Sequence, residues 1–205
     1  LNYLARLGWA HGDQEVFSRE ELIEKFDLDH VGKSPSIFDM DKLLWLNSHY
    51  LKTMPEEITA QRVIPFLQAI GIHAYKKETL VPIVHNLKER AKTLKEMAQM
   101  AAFFFDDNVI YDEKARDKFL TADAKPILEK YLARFQALSS LDEAEQKKII
   151  EDIVNTYNIK VADIIQPIRV ALSGKTVSPG IFEVVSILGK ESVEKRIRRA
   201  LDTIK

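Results

Sequence analysis

The 205-residue chain has no cysteine, which excludes disulfide staples, thiolate nucleophiles and thiolate metal sites and fits a reducing cytoplasm. No run of about eighteen apolar residues occurs, so no segment reads as a membrane span. Neither charge is in excess: 30 Lys and Arg stand against 31 Asp and Glu, a formal net charge of -1. Any attraction to nucleic acid must then come from a local patch rather than from the whole surface. The histidines, His11, His30, His49, His73 and His85, stand singly with no i, i+4 pair, and no metal is expected. Absent too are the G-x-S-x-G elbow and the glycine-rich dinucleotide loop. Two-residue alternation of apolar residues is missing. The expected fold class is therefore all-α, mainly helical, with at most a short strand or two near the N-terminus.

What is present is a succession of helical patterns. The chain opens within one, with Leu1, Leu4 and Leu7 followed by Gly8, and a chain that begins inside a helix is expected to be a piece of a longer protein. Ser18-Arg19-Glu20-Glu21 makes a capping box for a helix through Phe26, and residues 31–36 read as a loop or short strand. Asp39 caps a helix with Leu43, Leu44, Leu46 and Leu51 on its apolar side, while Trp9 and Trp45 are expected in the core. The next helix runs from Pro55 to Ile70 through a kink at Pro65 and closes at Gly71. Thr79 to Phe105 is the longest helical pattern. Its closing triplet, Phe103-Phe104-Phe105, cannot all face one way, so at least one ring serves a second contact.

Asp106-Asp107-Asn108 interrupts the periodicity, and a division is expected near residues 106–111. Beyond it come a short helix from Asp112 to Leu120, and one capped by Thr121 whose buried side includes Leu128, Tyr131, Leu132 and Phe135. A helix opened by Ser140 follows, and then Ile159 to Leu172, with Pro167 bending the rod just before Arg169. Gly174 ends that helix. Ser178 is expected to cap the next with Pro179 at its first position, and Gly189 ends it in turn. In the last helix Val193, Ile197, Leu201 and Ile204 form the buried face. Lys195, Arg196, Arg198 and Arg199 lie on or beside the other, where they can meet phosphates. From Lys190 to Lys205 six basic residues face three acidic ones, a run that also fits a solvated helix face. Gly174-Lys175-Thr176 looks like the end of a phosphate-binding P-loop, but that motif needs glycine where Arg169 stands.

Pro167, Arg169, Ser178, Pro179, Gly180, Ile181, Phe182, Gly189 and Lys190, with the basic helix after them, resemble the end of bacterial glutamyl-tRNA synthetase. Leu-Ala-Arg-Leu-Gly-Trp at residues 4–9, Ile37-Phe38-Asp39 with Trp45-Leu46-Asn47, and Glu89-Arg90-Ala91-Lys92-Thr93-Leu94 extend the likeness over the whole chain. The resemblance implies a stem-contact segment over residues 1–52 and two packed helical anticodon-binding subdomains over 53–108 and 109–205. It implies a monomer that binds glutamate-specific tRNA, with no membrane and no cofactor in this chain. The ATP and magnesium of the parent ligase would act in a catalytic domain, and neither its H-I-G-H-like nor its K-M-S-K-S-like signature is present.

The tRNA of that family has cytosine at the third anticodon position, uracil in the middle, and cytosine or a modified uracil first. By motif position Arg169 resembles the arginine at the first base and Arg90 the one that distinguishes the third-position cytosine. Ser178, Pro179, Gly180 and Ile181 would approach a base through backbone, and Lys175, Lys195, Arg198 and Arg199 would meet phosphates. Arginine only donates hydrogen bonds, which suits the O2 and N3 acceptors of cytosine. An alternative from another class is a helical interaction scaffold without RNA binding, although no repeat of fixed period is found.

Overall fold

The computed structural model describes residues 1–33 and 35–204, the Lys77 side chain excepted. Ser34, within the loop expected over 31–36, and Lys205, counted among the terminal basic residues, lie outside the described residues. Among those described there are eleven α-helices: α1 Asn2–Gly8, α2 Arg19–Lys25, α3 Met40–Thr53, α4 Glu56–Ala69, α5 Lys77–Leu87, α6 Leu94–Ala101, α7 Glu113–Phe119, α8 Lys125–Gln136, α9 Glu143–Tyr157, α10 Val161–Ser173 and α11 Ile181–Thr203. No strand is present among the described residues, and the one extended pairing is an isolated antiparallel bridge between Trp9 and Val31. No described helix is long and apolar enough to cross a membrane.

The first 53 residues are held by a mixed polar and aromatic cluster. Trp9, 2% exposed, packs beside Phe17 and Phe26 at 5.4 Å between ring centroids. The buried Asn2 donates to the Glu15 carbonyl at 2.9 Å and accepts from the Phe17 amide at 2.8 Å, satisfying backbone that no helix pairs. Glu15 then ties α1 to α3, since Arg6 reaches one carboxylate oxygen at 2.6 Å and Lys42 the other at 3.0 Å. The hydrogen bond from Arg6, then that from Lys42, brings its pKa from an ordinary 4.5 down to about 2. A depressed carboxylate contributes stability that is fully present above its unfolded pKa and is lost as pH falls through the folded one. Glu15→Gln should therefore lower stability at neutral pH by about 1 kcal/mol, allowing for solvent screening of a half-exposed pair. The difference from wild type should fade between pH 4.5 and about 2, as thermal melts across that range will read.

Several expectations about element ends are corrected. The long pattern from Thr79 to Phe105 is two helices, because Thr93 leaves helical geometry and its side chain caps α6 by accepting from the Glu96 amide at 3.0 Å. Its remainder is a 3-10 turn, Ala102–Phe104. Thr121 makes no side-chain cap, and α8 starts after a 3-10 turn, Ala122–Ala124. Asp142 rather than Ser140 caps α9, accepting from the Glu145 amide at 2.9 Å. Trp45 is 51% exposed, because α3 is covered on one side only, and Leu46 and Leu51 are its buried residues. Leu1 and Leu4 also face outward, at 87% and 64%. The break at Gly189 is where the glycine predicts it: φ 76° and ψ 168° cut α11 into 181–188 and 190–203.

From α4 onward the apolar faces merge. Helix α4 packs on α5 and α6, α8 on α9, and α10 and α11 on each other, while α11 also touches α5 and α8. Buried side chains from Ala60 to Ile204 form one contiguous core, each large one contributing roughly 1.5–3 kcal/mol of transfer free energy. The linker between α6 and α7 crosses this core at the surface, and Arg196 holds it there. Arg196, expected on the outer face, is 0% exposed. Its guanidinium donates to the Leu172 carbonyl at 2.7 Å, the Asp106 carbonyl at 3.1 Å and an Asp107 carboxylate oxygen at 3.2 Å. Burial raises the Asp107 carboxyl, but hydrogen bonds from Ser192, Lys195 and Arg196 outweigh it and hold the group below the usual carboxylate range.

Candidate nucleic-acid interface

Helix α10 ends at Gly174, whose φ of 75° is left-handed, and the chain turns back along the helix it has just left. Arg169 anchors that return. Its Nη1 donates to the Pro179 carbonyl at 2.8 Å, the Ser178 carbonyl at 3.2 Å and the Ser178 hydroxyl. Ser178 is therefore not a helix cap. Gly180 occupies the N-cap position of α11 with no side-chain capping bond, and Pro179 lies one residue before it. The requirement at 178–179 is a turn whose three oxygens face inward, and the half-buried Arg169 donates to them through Nη1.

Arg169 is half-buried and forms no ion pair among the described residues, and its Nε–H has no protein partner. Burial, reinforced by the nearby positive charge of Arg90, pushes its pKa below the usual arginine range. It nevertheless stays a cation at any physiological pH. Arg169 is thus a cation with no acid partner among the described residues and a second cation nearby, an arrangement that favours a ligand rich in acceptors.

In front of the 178–179 turn lies a cavity of about 380 Å³, into which Arg90, Lys175, Ser178 and Pro179 all face. Such a volume lies within the range of about 300–1,000 Å³ common for ligand sites. Arg90 arrives from the turn after α5, where its amide bonds the Leu87 carbonyl at 2.9 Å and its side chain is exposed. Phe103 supplies an aromatic wall, and Asp106, Asn108 and Ile110 of the linker supply another. These residues were not singled out from the sequence as part of the site, although the Phe triplet signalled a second contact and Asp-Asp-Asn a break.

Other expected residues fall elsewhere. Ile181 is 6% exposed and belongs to the core, because the first turn of α11 faces α10. Gly180 does not lie open to a ligand: a Cβ there would meet a Glu183 carboxylate oxygen at 2.0 Å, so that flexible acid covers it. Lys195 pairs with Asp107 at 3.3 Å, and Arg198 lies 4.0 Å from Glu194. Arg199 donates to the Asn108 side chain at 3.0 Å. These three are thus partnered on the protein, and none of them lines the cavity.

Arg90 and Lys175, the Phe103 ring and the polar linker with Asp106 and Asn108 surround one cavity, with Arg169 behind the turn at its edge. Cations beside a flat ring suit single-stranded RNA, whose unstacked bases are read by stacking and edge contacts. The family model described as the anticodon binding domain matches residues 59–201, and the chain belongs to that family. Residues 1–45 match a second model, described as the catalytic domain of class I tRNA synthetases (E and Q). The expectation of a chain without any catalytic-domain sequence is narrowed accordingly. The glutamate–tRNA ligase of Geotalea uraniireducens is 44% identical over 201 residues, 98% of this chain and 43% of that protein. That of Thermodesulfovibrio yellowstonii is 43% identical over 206 residues, again 98% of this chain and 44% of its own length. The chain thus spans less than half of these relatives. A solved glutamate tRNA ligase from Elizabethkingia meningosepticum, in complex with its amino acid, superposes with a TM-score of 0.89 at 27% identity, covering 100% of this chain and 40% of that one.

Proposed function

We propose that this chain is the tRNA-binding portion of a glutamate–tRNA ligase and holds the anticodon loop of glutamate-specific tRNA. Amino acid activation with ATP and magnesium takes place in a catalytic part outside it. Residues 1–52 act as the stem-contact segment, and 53–108 and 109–205 as two anticodon-binding subdomains, working as a monomer in the cytoplasm. The observation that carries this reading is the cavity, which joins Arg90 of the first helical unit to Lys175, Ser178 and Pro179 of the second. In this role Arg169 donates to the first anticodon base, Arg90 to the third-position cytosine, and Lys175 to an adjacent phosphate. Phosphate contacts position the loop and carry the salt dependence, whereas the arginines at base edges specify it.

The test is a titration of the chain with RNA hairpins that carry the glutamate anticodon or the same loop with guanine at the third position. Wild type should prefer the cytosine hairpin, and its affinity should fall as salt rises. Arg90→Gln should lower that preference about tenfold, within the range of about 1–3 kcal/mol for a good base-edge contact. Stability should stay within about 0.5 kcal/mol, because the side chain is exposed. An unaltered preference in Arg90→Gln removes Arg90 from base reading. Salt-independent binding by wild type removes the RNA role.

A further inference from the structure

The linker between α6 and α7 is both a wall of the cavity and the point at which the terminal helix grips the rest of the molecule. Asp106, Asn108, Val109 and Ile110 line the cavity. From behind, two side chains one turn apart on α11 hold the same residues. Arg196 donates to the Asp106 carbonyl at 3.1 Å and the Asp107 carboxylate at 3.2 Å, and Arg199 donates to the Asn108 side-chain oxygen at 3.0 Å. From the same helix the linker also receives bonds from Ser192 and Lys195 to the Asp107 carboxylate. Its own bonds are a turn from the Asn108 amide to the Asp106 carboxylate at 2.7 Å and the bond from the Asp112 amide to the Gly174 carbonyl at 2.9 Å.

We propose that Arg196 and Arg199 are positioning residues for the cavity: from the far side of the linker they fix the wall against which a bound base lies. They act through Asp106, Asp107 and Asn108 and touch no ligand. This rests on the RNA-binding reading above and assigns Arg199 a role different from a phosphate contact. Arg196 is fully buried while Arg199 is exposed, so Arg199 can be altered without emptying the core.

The two roles separate by their readouts. A lysine or arginine on a phosphate contributes to affinity for any sequence, and its removal lowers the salt slope by about 1. A residue that places a wall changes which base is accepted and leaves the slope alone. The experiment titrates the glutamate hairpin and hairpins with single anticodon substitutions against wild type, Arg199→Gln and Arg196→Met, at several salt concentrations, with thermal melts of each protein. For Arg199→Gln the preference for the glutamate hairpin should fall about fivefold, the loss expected from one hydrogen bond's worth of placement, at unchanged salt slope. Arg196→Met, wherever its melt shows a folded chain, should lose more in the same direction. A lowered slope with the preference intact makes Arg199 a phosphate contact and overturns the proposal, as does an Arg199→Gln protein that matches wild type in both. If wild type shows no preference among the hairpins, the RNA reading itself falls, a result seen without any variant.

Discussion

Arg169→Ala should weaken binding of the glutamate-anticodon hairpin by about tenfold to a hundredfold, the loss expected for a bidentate base-edge donor. Binding of a hairpin with an unrelated anticodon should change far less. The reason lies in how the guanidinium is divided. One nitrogen is spent on the Ser178 and Pro179 oxygens, while the buried Nε–H has no protein acceptor. That Nε–H is closed to solvent, so Nη2 is the nitrogen left to meet a base, and a cytosine edge offers it acceptors where uracil would present N3–H. The partly desolvated cation therefore rewards the right base more than it would in open water. Arg169→Lys should recover little, because a single ammonium lacks the fork that bridges turn and ligand. Parallel titrations of the two hairpins decide this, and an equal loss on both reduces Arg169 to a brace for the turn.

The largest stability effect is expected at Gly174. Its φ of 75° lies in the left-handed region, which costs a residue with a side chain about 1–2 kcal/mol. A Cβ there would also stand 2.1 Å from the Ile110 carbonyl oxygen and 3.1 Å from a Val109 methyl. The first of these is backbone, so relief requires moving the linker, at an overpacking cost of about 1–3 kcal/mol. Together Gly174→Ala should destabilise the chain by about 2–5 kcal/mol and lower Tm by roughly 10 °C. Gly71→Ala is the control, since Gly71 has φ 86° with nothing within 4 Å of an added Cβ. It should lose only the dihedral part. Equal shifts in the two melts would mean that the close approach to Ile110 contributes nothing. Because Val109 and Ile110 line the cavity, Gly174→Ala should also weaken the glutamate hairpin beyond its effect on stability.

Local chemistry was legible wherever one residue settles it. Ser18 and Asp39 cap the helices they were expected to cap, because a short polar side chain competes for orphan amides within its own turn. Gly71, Gly174 and Gly189 stop helices by accepting positive φ. The caps expected at Thr121, Ser140 and Ser178 fail because a neighbouring residue or a tertiary partner takes the position or the hydroxyl. The failures of extent and burial arise because an apolar period does not say what lies opposite it. The pattern from Thr79 to Phe105 reads as one rod because both of its helices bury the same kind of residue, and only Thr93 marks the break. Trp45 has the composition of a core residue but lies on the uncovered side of α3.

For the site, Arg90, Arg169 and Ser178-Pro179 are singled out by motif resemblance to the synthetase family, while the all-helical class and the freedom from thiol chemistry are legible in the residues themselves. Those properties rest on composition and nearest neighbours, which the chain carries with it. Which of the basic residues remain available was decided by packing. Arg196 and Arg199 share one helical run with Lys195 and Arg198, yet one guanidinium is sealed in the core and the other is turned onto Asn108. The cavity likewise joins residues 90, 103, 108 and 178, which are far apart in sequence. Their meeting depends on how α5, α6 and α10 pack, since burial of apolar area is non-directional and only the finished arrangement of helices says which polar side chains are left facing one another.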